Sequence, residues 1–246
     1  MMGNWLFRFT KPDVLPAGSK LVAADEAEKQ LLSQLKTKQR PEEDVRWDLS
    51  RLYSYTKHHE QAFAEVQRLV QMAETLEKKA QCYLAMGQLM EQMQNFEMAI
   101  KYYSQALSLE PINNQTWYFI HNNLGYCLNH FGRYREAQPY CCRAIKIDPL
   151  RHNAYKNLGI SLEGQGDYAN AAKCYIKAVQ TNASDPRALR HLEELIHLPV
   201  PFLGDENKIN RVIVLLVGGN VIWASLRIPS EAILKETLDM PPINWN

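Results

Sequence analysis

The chain has 246 residues, enough for one or two domains, and its 28 Lys and Arg residues nearly balance 27 Asp and Glu residues. The resulting formal net charge of +1 removes the usual electrostatic argument for binding to nucleic acid or to an anionic membrane surface. Hydrophobic residues make up 46% of the chain, which excludes an intrinsically disordered protein and indicates a globular one.

Residues 1–42 are interpreted as an N-terminal extension that ends in a capping helix. An amphipathic pattern runs from Lys20 to Gln39, and Pro41 ends it. We expect this helix to pack against the first repeat of the array that follows. The aromatic residues of Asn4–Thr10 alternate, which would suit a strand. No targeting segment is convincing, and the longest uncharged apolar stretch, Val212–Leu226, is too short to span a membrane.

The middle of the chain repeats itself. Small residues recur 34 positions apart in three pairs: Gly125 and Gly159, Ala137 and Ala171, Ala144 and Ala178. A preceding unit follows the same order at an offset of 38: Gly87, Ala99, Ala106 and Pro111. Two helices can cross closely only where the side chains between them are small. Each unit is therefore predicted to be a helix hairpin that buries its apolar face by stacking on its neighbours.

This pattern resembles the tetratricopeptide repeat (TPR) family, whose helix-turn-helix unit of 34 residues has small residues and a proline at these positions. Ala80–Asn113, Tyr118–Arg151 and His152–Asp185 match the motif, although Ala183 stands where the third unit should have proline. The resemblance implies an all-α fold, a right-handed TPR superhelix of stacked helix pairs. The four extra residues between the first two units fall in Ile112–Phe119 and predict a helix that starts one turn early.

The array is predicted to extend over residues 43–198. Upstream of the complete units 80–113, 118–151 and 152–185, residues 43–76 carry apolar residues in the phase of a degenerate repeat. Downstream, residues 186–198 continue the phase as a single helix. Repeat arrays commonly end in such a helix because the last unit must cover an exposed apolar face.

Residues 199–246 are interpreted as a C-terminal extension. Two runs rich in Val, Ile and Leu flank Gly218-Gly219-Asn220 and predict a β-hairpin over residues 211–228, and residues 230–238 are predicted to form a short helix. A lone hairpin is marginally stable in water. We therefore expect it to pack on the array, to pair with another strand or to pair with a second copy of the chain.

No motif for catalysis, a cofactor or a metal ion emerges. His58-His59-Glu60 lacks the spacing that puts two metal ligands on one helical face, and Gly164-x-Gly166 lacks the third glycine of a nucleotide-binding loop. The five cysteines are odd in number and form no CxxC pair, so we expect reduced thiols in a cytoplasmic protein. The sequence predicts no catalytic residue, no cofactor and no metal site.

The resemblance instead implies a peptide-binding groove lined by the first helix of each unit. The residues at the positions that face the groove in TPR proteins are Phe119, Asn122, Asn123, Tyr126, Asn153, Lys156, Asn157, Arg187 and Arg190. Asn123 and Asn157 share the sixth position, where a side-chain amide could bond both the C=O and the N–H of a peptide. The alternative is that these amides bond neighbouring helices. Lys156, Arg187 and Arg190 would suit an acidic residue or a C-terminal carboxylate.

The leading hypothesis is therefore a non-enzymatic protein-protein interaction module, an adaptor that binds an extended peptide of a partner protein. An assembly scaffold that uses the C-terminal hairpin, for example to form a homodimer, is the alternative, and an enzyme of unknown type is third. Neither nucleic acid nor a membrane span is predicted. The family's clamp for the C-terminal Glu-Glu-Val-Asp of heat-shock chaperones is not reproduced, because Leu84 and Gln88 stand where it has Lys and Asn.

Overall fold

The computed structural model describes residues 17–196, 211–217 and 220–226. These residues form ten helices and two strands: α1 (Ala17–Thr37), α2 (Glu42–Tyr55), α3 (His59–Met72), α4 (Leu76–Gln92), α5 (Phe96–Ser108), α6 (Asn114–His130), α7 (Tyr134–Ile147), α8 (His152–Glu163), α9 (Tyr168–Thr181), α10 (Pro186–Ile196), β1 (Arg211–Val217) and β2 (Asn220–Leu226). None of these helices combines the length and the apolar character needed to cross a lipid bilayer.

The chain divides into two compact units, residues 1–73 and 74–246. In the first unit α1 packs against α2, and α2 packs against α3. The Tyr53 hydroxyl joins the first two of these helices by donating a hydrogen bond of 2.6 Å to the Glu28 carboxylate. Arg46 joins α2 to α3 through an ion pair of 2.7 Å with the buried Glu65. The assignment of residues 43–76 as a degenerate repeat stays a prediction.

In the second unit the helices pack as successive pairs, α4 with α5, α6 with α7, and α8 with α9. Each pair stacks on the next through contacts of α5 with α6 and of α7 with α8, and α10 packs on α9. The first helices of the pairs also contact one another, α4 with α6 and α6 with α8. The predicted architecture of stacked helix pairs is confirmed for this part of the chain.

A glycine of the first helix lies at the closest approach in each pair. A Cβ atom built on Gly87 would lie 2.3 Å from Cε1 of Tyr103, and one built on Gly159 would lie 2.4 Å from Cε1 of Tyr175. In the middle pair the same atom on Gly125 would lie 2.4 Å from the Cys141 sulfur. These separations are far below contact distance, so only glycine fits without a displacement of the second helix.

The extra turn predicted in the second unit is present, since α6 begins at Asn114 rather than four residues later. The Asn113 side chain caps this helix by accepting a hydrogen bond of 3.1 Å from the N–H of Thr116. Glu77 of α4 anchors the insertion. One of its carboxylate oxygens accepts from the N–H groups of Ile112 and Asn113 at 2.8 and 3.2 Å, and the other accepts from the Thr116 hydroxyl at 3.0 Å.

Strands β1 and β2 pair in antiparallel register, with Val214 opposite Trp223 and Val217 opposite Asn220. Gly218 and Gly219, the predicted helix at residues 230–238 and the predicted strand at Asn4–Thr10 lie outside the described residues. The C-terminal hairpin as a functional extension therefore stays a prediction.

Candidate functional site

Buried polar side chains are concentrated on the first helices of the second and third pairs. Among the described residues of the second unit, every buried polar side chain belongs to α6 or α8: Thr116, His121, Asn122, Asn123, Asn129, Lys156, Asn157 and Ser161. Burying a polar group is unfavourable unless it forms a hydrogen bond. The interface of α6 and α8 is therefore the part of the array where buried hydrogen bonds between side chains are expected.

Five of these residues form a network that joins α6 to α8, and we call Asn122, Asn123, Asn129, Asn157 and Ser161 the asparagine seam. The Asn157 amide donates to the backbone carbonyl and the side-chain oxygen of Asn122, at 3.4 and 3.0 Å. The Asn122 amide donates to Asn123 at 3.0 Å. The Asn129 amide donates to the Asn157 carbonyl at 2.7 Å, and its oxygen accepts from the Ser161 hydroxyl at 2.8 Å. The amides of Asn129 and Asn157 thus bond across α6 and α8, the alternative considered for Asn157, whereas the Asn122 amide bonds within α6.

A partly buried acid lies beside the seam. The Asn123 amide donates to the Tyr103 hydroxyl at 3.2 Å, and that hydroxyl donates to the Glu91 carboxylate. The Cys127 thiol donates to the same carboxylate at 3.6 Å. Burial raises the pKa of Glu91 to about 7, although its hydrogen bonds and the charge of Lys156 act in the opposite direction. This carboxyl group therefore changes charge near neutral pH.

The raised pKa of Glu91 predicts a stability that falls with increasing pH. The folded state holds this proton more tightly than the unfolded state, so stability is lost as the pH rises from about 4.5 to about 7. In Glu91→Gln the free energy of unfolding should fall by roughly 2–3 kcal/mol less than in the wild type over this pH range. The check is the free energy of unfolding of both proteins across that pH range, with Glu97→Gln, an exposed acid on α5, as control. Parallel curves for the wild type and Glu91→Gln would contradict the assignment.

Lys156 is a buried cation. The residue is 6% exposed, its ammonium lies 5.8 Å from the centre of the Tyr126 ring, and it forms no ion pair with a carboxylate among the described residues. Burial lowers the pKa of Lys156 to about 8, and the nearby charge of Arg187 lowers it further, whereas Asp185 and Glu91 act in the opposite direction. A largely buried ammonium without an ion pair is costly, because part of its hydration is lost and no carboxylate lies within ion-pair distance.

The other predicted residues surround this cation to different degrees. Arg187 is exposed, forms an ion pair of 2.5 Å with Asp185 and donates to the Asn153 side chain at 2.9 Å. The charge of Arg187 contributes to the lowered pKa of Lys156, whereas that of Arg190 is not among its causes. Arg190 is exposed on α10. Phe119 is half-buried and contacts Tyr118.

A tyrosine–acid pair that recurs in the array was not predicted from the sequence. Tyr175 donates to Glu163 at 2.5 Å, as Tyr103 does to Glu91. The signal was available, because both pairs occupy equivalent positions of their units. In the middle unit the same two positions hold Asn129 and Cys141, and the Asn129 oxygen accepts from Ser161 instead.

Models of the tetratricopeptide repeat family match residues 80–113, 120–149 and 152–185. The chain is a tetratricopeptide repeat-containing protein. The resemblance seen in the pattern of glycine, alanine and proline is confirmed by these matches. The described helix pairs α4 with α5, α6 with α7, and α8 with α9 are the three repeats.

Relatives share the repeats and not the whole chain. Human tetratricopeptide repeat protein 7B is 28% identical over 100 residues, which cover 41% of this chain and 11% of that protein. Small glutamine-rich tetratricopeptide repeat-containing protein 2 of Mycosarcoma maydis is 31% identical over 107 residues, 44% of this chain and 29% of that protein. The chain thus spans 11% and 29% of the length of these two curated relatives.

One solved structure with a similar fold is YrrB, described as a TPR protein with an unusual peptide-binding site. Its TM-score is 0.53 at 16% sequence identity, and the alignment covers 70% of this chain and 87% of that chain. At this level of identity the likeness shows the shared fold.

Proposed function

We propose that this TPR protein is a non-enzymatic interaction module that holds an extended peptide of a partner protein against the first helices of its repeats. TPR domains typically serve protein-protein interaction, and YrrB, which shares the fold, is described as having a peptide-binding site. In this proposal an acidic side chain or the C-terminal carboxylate of the peptide pairs with Lys156.

The observation that carries the proposal is the burial of Lys156 without a direct ion pair among the described residues. A ligand carboxylate beside the ammonium would supply the missing negative charge. In a site with little water, this ion pair is stronger than it would be at an exposed surface. Arg187 adds a second positive charge near Lys156, and Tyr126 provides an aromatic wall.

The asparagine seam takes a positioning role in this proposal. The Asn129 and Asn157 amides are engaged between α6 and α8, so they fix α8, the helix that carries Lys156, against α6 rather than grip the peptide along its length. One acceptor remains without a partner, the buried side-chain oxygen of Asn157. A single peptide N–H could satisfy that oxygen, which is a smaller contribution than the repeated asparagine contacts expected from the sequence.

The test is a selection from a random library of dodecapeptides with free C-termini on the immobilised full-length chain. We expect the bound peptides to be enriched in Asp, Glu or an unblocked C-terminal carboxylate. The same selection on Lys156→Met should lose this enrichment. Enrichment of basic peptides, or no enrichment on the wild type, would contradict the proposal.

A further inference from the structure

Three potential metal ligands converge at the C-terminal end of the array. The Nδ1 atom of His191 lies 3.4 Å from Oε2 of Glu163 and 3.6 Å from Oε2 of Glu194. The three ligand atoms lie within 4.8 Å of one another. A tetrahedral zinc ion with bonds of about 2.0–2.1 Å sets its ligand atoms roughly 3.3–3.4 Å apart. A small closure of the two glutamates would therefore complete a three-ligand set.

The His191 Nδ1 atom faces the two carboxylates at ion-pair distance, without hydrogen-bond geometry to either. This nitrogen atom is buried. The imidazole ring is held in place by stacking on Tyr175, with ring centres 4.9 Å apart and planes inclined by 9°. An imidazole nitrogen left without a partner among acceptors is available as a ligand for a cation.

The supporting contacts around these residues also suit a metal ion. The Tyr175 hydroxyl donates to Oε2 of Glu163 at 2.5 Å, and metal-binding carboxylates are commonly oriented by such outer hydrogen bonds. Glu163 ends α8, whereas His191 and Glu194 lie one turn apart on α10. A bound ion would therefore tie the last helix of the array to the third repeat.

We propose that His191, Glu163 and Glu194 form a zinc-binding site with a fourth position open to water or to a carboxylate of a partner. The mixed ligand set favours zinc over calcium and magnesium, which prefer oxygen ligands alone. This proposal revises the expectation from sequence that the chain has no metal site. The sequence contains His191-x-x-Glu194, which puts two metal ligands on one helical face but lacks the second histidine of the common zinc motif.

The test uses the full-length chain, freed of metal with a chelator and titrated with Zn²⁺ by calorimetry. We expect one ion per chain, and at least about tenfold weaker binding for His191→Gln and for Glu194→Gln. Glu193→Gln is the matched control, because this exposed neighbour on α10 is not part of the cluster, and its affinity should equal that of the wild type. Circular dichroism checks that each variant keeps its helices.

Cobalt distinguishes this site from the cysteines of the chain. Co²⁺ bound by one histidine and two carboxylates gives no thiolate-to-metal charge-transfer band, whereas Co²⁺ bound by Cys does. We expect a Co²⁺ spectrum without that band, and its loss in His191→Gln. A thiolate band, equal Zn²⁺ affinity of the wild type and His191→Gln, or no binding to the wild type would each overturn the proposal.

Discussion

Gly159→Leu is expected to lower the free energy of unfolding of this TPR protein by about 3–4 kcal/mol, at the upper end of what overpacking costs. Even a Cβ atom at this position would lie 2.4 Å from the Tyr175 ring. That ring cannot easily move, because it is fully buried, bonded to Glu163 and stacked on His191. Urea unfolding followed by circular dichroism measures the effect.

A second substitution tests the physical reason. Tyr175→Ala removes the ring that blocks the leucine, so the double variant Gly159→Leu with Tyr175→Ala should be more stable than the sum of the single effects allows. Lys173→Leu, which adds a leucine to the exposed face of α9, controls for the residue type. If Gly159→Leu unfolds at the same urea concentration as the wild type, the assigned helix crossing is wrong.

Lys156→Met is expected to increase stability at neutral pH by roughly 2–3 kcal/mol. Burial, followed by the charge of Arg187, lowers the pKa of Lys156 to about 8 from 10.5, so the folded state holds this proton less tightly than the unfolded state. The destabilisation is therefore fully present below about pH 8 and disappears as the pH rises toward 10.5. Methionine has a similar length and no charge, so it fills the same space without this penalty.

The measurement is the free energy of unfolding of both proteins between about pH 7 and pH 10.5. The two curves should approach each other as the pH rises. Lys177→Met is the matched control, because Lys177 is exposed on α9 and its replacement should leave stability nearly unchanged. A Lys156→Met protein that is less stable than the wild type at pH 7 would show that the ammonium is well paired.

Much of the fold follows from spacing alone. The recurrence of Gly87, Gly125 and Gly159 predicted the helix crossings because only glycine leaves room for the second helix. The offset of 38 residues predicted the longer α6, since four residues add about one helical turn. Both predictions depend only on the geometry within one repeat, which the spacing of residues in the sequence reflects.

The site was harder to predict, because periodicity reports the face of a helix and not the depth of a side chain. The pattern placed Lys156 on the groove face but did not show that it would be only 6% exposed, and it left open whether the Asn157 amide faces a peptide or bonds a neighbouring helix, as it does with Asn122. Both outcomes depend on how closely α6 and α8 approach. The contact of Glu163 with His191 joins residues 28 positions apart, a pairing that no single motif encodes.

Several expectations from sequence stay predictions. They are the domain boundaries outside the matched repeats, the scaffold role of residues 199–246, a homodimer through that segment and a cytoplasmic location. Size measurement of the intact chain and of a chain ending at residue 198 would test the homodimer, which should be lost in the shorter chain.

The affinity of a selected acidic peptide for the wild type and for Lys156→Met tests the central claim most directly. We expect at least about tenfold weaker binding to Lys156→Met, even though that protein is the more stable of the two, and unchanged binding to Lys177→Met. Loss of affinity together with a gain in stability would separate a ligand contact from general damage to the fold. Equal affinity of the wild type and Lys156→Met would contradict the claim that this buried ammonium receives the peptide's carboxylate.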